Sequence, residues 1–166
     1  MNTGRQIEIH TNKTLSLENA LVKDIVIFNA EVEGSEDSDV MLPDVIAEKM
    51  RNEIIFSGAT PVGPLIQRTW TSADKGALII SLLLQADRYI DDVNPIYRME
   101  PLIKVSNCLY TRFNGFQDDI KYAYQKLEVV AYEENIKING NSYIVFLGPK
   151  DDGTITTDIF MEREEG

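Results

Sequence analysis

The sequence predicts an α+β fold in which duplicated β-α-β-β units form one antiparallel sheet with two long helices on one face. Three observations predict it. An amphipathic stripe runs from Phe116 to Ala131 between a strand at Cys108–Phe113 and two strands at 142–147 and 154–161. The same order, strand, helix, strand, strand, is legible earlier at 24–33, 42–54, 65–71 and 77–85. Matching elements recur after about 80 residues, near half of the 166-residue chain, as a duplicated unit would.

The elements follow in order. Residues 1–23 read as a polar N-terminal extension, with a short strand at Gln6–His10 and helical turns at Leu15–Val22. Asp24–Glu33 is β-branched and aromatic and ends at Gly34, which opens an acidic loop, 34–39. That loop lacks the alternating ligands and closing glutamate of a calcium loop and reads as a solvated connection. In the first helix Leu42, Ile46, Met50 and Ile54 recur every four residues, Val45 widens the stripe, and Ser57-Gly58-Ala59 ends it. Pro61 and Pro64 are expected ahead of the strand 65–71 rather than inside its ladder. Asp74-Lys75-Gly76 is a turn. Ala77–Gln85 is apolar on both faces and so reads as a central, covered strand.

A connector, 87–103, is broken by Pro95 and Pro101. The second unit spans 104–162 and mirrors the first, 24–86, within a single domain of 1–166. In its helix Phe116, Ile120, Ala123, Tyr124, Leu127, Val130 and Ala131 share one side, with Asn114 as cap and Gln117 three residues on. Asn135–Asn141 breaks that helix, with Gly140 as its turn residue, matched to Gly58 of the first unit.

Composition excludes some function classes. The net charge is -11, from 27 acidic and 16 basic residues, which disfavours nucleic acid and anionic membrane surfaces as partners. No apolar run is long enough to span a bilayer, and no signal-peptide core is visible, so a cytoplasmic protein is expected. The lone Cys108 allows no internal disulfide and reads as an inert buried thiol. His10 is the only histidine, so no metal site, no cofactor and no His-based catalytic set is expected. Side by side, the two units would leave a groove between their helices, the default place for a small-molecule ligand.

The second half resembles the GyrI-like effector-binding domain, which also serves as the ligand-sensing part of AraC-type and MerR-type multidrug regulators. The resemblance lies in Leu109-Tyr110-Thr111-Arg112-Phe113-Asn114-Gly115-Phe116, in Ala123-Tyr124-Gln125-Lys126-Leu127, in 143–149 and in Thr157-Asp158-Ile159-Phe160-Met161. It implies a stand-alone module that binds hydrophobic or cationic small molecules in the groove. It places Asp158 against a ligand's positive charge; position on the groove-bordering strands adds Trp70, Tyr110 and Tyr143 as aromatic faces worth about 0.5–2 kcal/mol each as cation–π partners. Where the family usually has tyrosine after the glycine, this chain has Phe116.

Two other classes compete. Some stand-alone relatives hydrolyse reactive small molecules with a tyrosine and a carboxylate, roles that Tyr110 with Asp158 or Glu162 would fill. An acidic interaction module would instead recruit a basic protein partner or assemble as a homo-oligomer.

Overall fold

The computed structural model describes residues 8–27, 43–72 and 76–164. The acidic loop 34–39 and the Asp74-Lys75 turn residues lie outside them. Among the described residues six strands and two α-helices run in the order β1 (Ile9–Ile27), α1 (Pro43–Phe56), β2 (Pro61–Ser72), β3 (Ala77–Ala86), β4 (Arg98–Gly115), α2 (Ile120–Glu133), β5 (Ile138–Pro149) and β6 (Ile155–Arg163). They group into two compact units. The N-unit holds the described residues between 17 and 103, and the C-unit holds 104–164 with 8–16.

In the N-unit β3 is central, antiparallel to β1 on one side and β2 on the other. That is why Ala77–Gln85 is mostly apolar: Ala77, Ile79, Leu82, Leu83 and Leu84 are buried, while Leu78 near its start is exposed. The helix α1 turns Ile46, Ala47, Met50 and Ile54 inward, as the four-residue period requires, and leaves Val45 exposed.

In the C-unit β6 takes the central place, antiparallel to β4 and β5. The helix α2 buries Ala123, Leu127 and Ala131 against Leu109, Phe113, Ile159 and Met161. Ile120 and Tyr124 flank that contact. Phe116, expected in the helical stripe, is 55% exposed and has an extended backbone (φ -80, ψ 146) ahead of a 3-10 turn at Gln117–Asp119. Asn114 does not cap the helix. It belongs to β4, and its side-chain oxygen accepts from Thr156 Oγ1 at 2.7 Å.

The two helices are 14 residues each and begin 77 positions apart, and β2 and β5 are 12 residues each with the same offset. The helix ends agree in detail. Ala59 N–H donates to the Ile54 carbonyl at 3.1 Å, and Ile136 N–H to Ala131 at 2.8 Å. Among the described residues three left-handed pairs fall at that same spacing, Gly58 with Asn135, Gly63 with Gly140 and Gly76 with Gly153, whereas Asn19 and Gly148 have no such counterpart. So Gly58 answers to Asn135, where the sequence had suggested Gly140.

Three strand boundaries differ from expectation. Residues 9–23 are the first part of β1, and Leu15–Val22 is strand, not helix. Asn19 there has φ 54, and past it Ala20, Leu21 and Val22 are buried in succession, so the alternation set by Leu15 and Leu17 breaks off. The strand β4 begins at Arg98, inside the expected connector, and runs through Pro101. In β2 both prolines fall within the strand: Pro61 is its first residue, and Pro64 lies where the register against β3 shifts between Val62 and Ile66, two places where a missing donor is tolerated.

Candidate functional site

Side chains on successive strand residues point to opposite faces. In the C-unit Leu109, Phe113, Ile159 and Met161 face α2. Tyr110, Arg112, Asp158, Phe160 and Tyr143 therefore stand on the other face. Cross-strand register sets them in rows. Tyr110 lies opposite Phe160, which lies opposite Tyr143, and Arg112 lies opposite Asp158. The sequence reading put the ligand site beside the helices. In the C-unit the residues chosen for it are on the sheet face turned away from α2.

Tyr110 and Asp158 are brought together. The Tyr110 hydroxyl donates to Asp158 Oδ1 at 2.8 Å. Arg112 grips the same carboxylate with both arms, Nε to Oδ1 at 2.8 Å and Nη2 to Oδ2 at 3.0 Å. This fork geometry is the strongest form of a carboxylate contact. Asp158 is therefore not the bare carboxylate that the sequence suggested. Its side chain is only 14% exposed, whereas that of Arg112 is 53% exposed. Asp158 in turn holds the Arg112 guanidinium above its usual pKa. Burial, then the hydrogen bond and charge of Asp158, push the Tyr110 hydroxyl up to about 12, so at neutral pH it is a donor and not a nucleophile.

The Tyr110 ring has three further neighbours. Phe160 is tilted against it at 5.0 Å between centroids, His10 at 5.6 Å, and Lys13 Nζ lies 5.1 Å from its centroid. His10 and Lys13 belong to β1 and line an open depression of about 520 Å³ with Ile9, Thr11 and Asn12. Arg163 anchors that stretch: its Nη2 donates to the Thr11 carbonyl at 2.6 Å and its Nε to the Asn107 carbonyl at 2.8 Å. Tyr143 is buried at the far end of the aromatic row.

Trp70 belongs to the N-unit and to a different network. Its indole N–H donates to Ser81 Oγ at 3.2 Å, and Ser81 donates to Asp24 Oδ1 at 2.6 Å. Arg98 closes the chain on Asp24 Oδ2. The Arg68 guanidinium already lies over the indole, 4.5 Å from its centroid. So the structure brings Tyr110, Tyr143 and Asp158 onto one face and gives Trp70 its own cluster. Reasoning from sequence missed Arg112, Phe160, Lys13, Ser81 and Asp24 as neighbours of the chosen residues. Alternation on β4 alone would have placed Arg112 beside Tyr110.

Cys108 is fully buried, and burial followed by the charge of Glu162 pushes its thiol up to about 11. Among the described residues no three His, Cys, Asp or Glu side chains are grouped to hold a metal ion, and no helix is long and apolar enough to cross a membrane.

No protein-family model and no curated protein sequence matches the chain. Solved structures do resemble it in fold. The EcmrR C-terminal domain aligns over 96% of this chain and 99% of its own, with TM-score 0.65 and 11% identity. SAV2435, in a structure bound to tetraphenylphosphonium, aligns over 92% of this chain and 93% of its own, with TM-score 0.55 and 9% identity. A hydrolase encoded by lin2189 from Listeria innocua aligns over 93% of this chain and 92% of its own, with TM-score 0.58 and 13% identity. At these identities the likeness is one of fold.

Proposed function

We propose that this chain is a GyrI-like effector-binding module that takes a small amphiphilic molecule against the aromatic row of its C-unit. The observation that carries the reading is the row itself: Tyr110, Phe160 and Tyr143 abreast across three strands, next to an oriented Asp158–Arg112 pair. Apolar surface with a few fixed polar groups is the usual make-up of a small-molecule site. The fold shared with the EcmrR C-terminal domain and with tetraphenylphosphonium-bound SAV2435 supports it. The matched lengths and left-handed positions of the two units support the reading that they are two copies of one β-α-β-β element.

A bound ligand stabilises the native state by mass action, by about 2.7 kcal/mol at a hundred times its dissociation constant. Thermal unfolding against a panel of lipophilic ions and neutral amphiphiles is the direct test. The expected result is a concentration-dependent rise for some members, lost on Tyr110→Ala. A flat response across the panel would end the proposal.

A second reading has one observation in its favour. The Tyr110–Asp158 hydrogen bond is the pair that a hydrolase would use, and the Listeria innocua protein of this fold is described as a hydrolase. Against it stands the raised Tyr110 pKa, which keeps the hydroxyl protonated. Turnover of reactive esters or epoxides that is abolished by Asp158→Asn would establish it; turnover indifferent to that change would not.

A further inference from the structure

We infer that Arg112 sets the charge preference of the aromatic site, closing it to cations and making it a site for amphiphilic aromatic anions. This rests on the proposed binding function and goes further, to the class of ligand. A cationic guest needs a carboxylate whose charge is free. Asp158 is already engaged, by both arms of Arg112 and by the Tyr110 hydroxyl. A cation would have to displace a bidentate guanidinium, which is the better partner for a carboxylate.

An anion meets the opposite situation. The Arg112 side chain is 53% exposed, and its Nε and Nη2 are committed to Asp158, so the outward edge of the guanidinium is left toward solvent. Lys13 adds an ammonium 5.1 Å from the Tyr110 centroid. With the Asp158–Arg112 pair neutral, Lys13 leaves this end of the row positive, in a chain whose net charge is -11. Two carboxylates stand further off: Glu162, two residues along β6 from Phe160, accepts from Asn141 Nδ2 at 3.1 Å, and Glu8 lies two residues before His10. The half-buried Tyr110 ring supplies the apolar contact that an aromatic body needs, with the buried Phe160 ring packed against it.

Two ions of matched size and opposite charge make the test: tetraphenylborate and tetraphenylphosphonium, titrated calorimetrically into the intact chain at fixed salt. The expected result is that borate binds tighter by about tenfold or more, the scale of one unscreened charge contact. The chain's overall negative charge works against that outcome, so it would not arise from bulk attraction. Arg112→Gln should weaken borate and raise phosphonium affinity, reversing the order. Arg112→Lys should keep the order, and Lys13→Gln should weaken borate about threefold or more without improving phosphonium. Circular dichroism of each variant confirms that it is folded, and the Lys13 variant decides the matter if Arg112→Gln is not. Tighter phosphonium binding by the intact chain, or an ion preference unmoved by both Arg112→Gln and Lys13→Gln, overturns the inference and leaves the binding function standing. Binding of neither ion overturns the inference, and the binding function falls with it only if the neutral amphiphiles also leave the melting temperature unmoved.

Discussion

Gly58 and Asn135 close the two helices with the same hydrogen bonds. Gly58 N–H donates to Ile55 at 2.9 Å and Asn135 N–H to Tyr132 at 3.2 Å, each from a left-handed residue, φ 87 and φ 59. With the bonds that Ala59 and Ile136 make five residues back, each is a complete Schellman end.

Glycine takes this backbone conformation without strain and asparagine tolerates it. Asn135→Gly should therefore stabilise the chain by a few tenths to about 1 kcal/mol. Gly58→Ala should destabilise by about 1–2 kcal/mol, because the conformation is strained for alanine and its Cβ would lie 3.2 Å from Arg88 Nη2. Urea unfolding midpoints give both signs.

Met50 and Leu127 hold corresponding places on α1 and α2 and both are fully buried. Truncation to alanine at either should cost about 2–5 kcal/mol, from lost transfer energy and the cavity left behind. Val45→Ala, at an exposed position of α1, should change stability by less than about 0.5 kcal/mol. Denaturant titration of the three variants tests which faces the helices bury.

The native state holds the Tyr110 proton more tightly than the unfolded chain does, with a pKa raised from 10.0 to about 12. Its contribution is fully present below pH 10 and is lost as pH rises through 12. Melting temperatures measured across that window should fall less steeply for Tyr110→Phe than for the parent chain. Equal slopes would show that the hydroxyl titrates normally.

The Cys108 thiol, buried and pushed up to about 11, carries little thiolate at pH 8. Alkylation of the native chain by iodoacetamide should be on the order of a hundredfold slower than in urea. Native reactivity matching the denatured rate would contradict the burial.

Legibility followed local periodicity. The inward faces of both helices were readable, since Ile46, Met50 and Ile54, like Ala123, Leu127 and Ala131, recur at helical spacing. The central position of β3 was readable from a run that only Ser81 interrupts before Gln85. The first half of β1 was not, because Asn19 resets the alternation, and β4 was hidden before Lys104 by Pro101. Tyr110, Tyr143 and Asp158 were selected from sequence and share a face, but Trp70 was selected with them and hydrogen-bonds in the N-unit.

By itself the sequence determined the order strand, helix, strand, strand in each half, and the side that each helix turns inward. Both follow from contacts within a few residues. Only the tertiary structure decided that the Asp158 charge is taken by Arg112, 46 residues away. That pairing depends on the register between β4 and β6, which is set by the packing of whole strands and leaves no trace in the spacing of either residue.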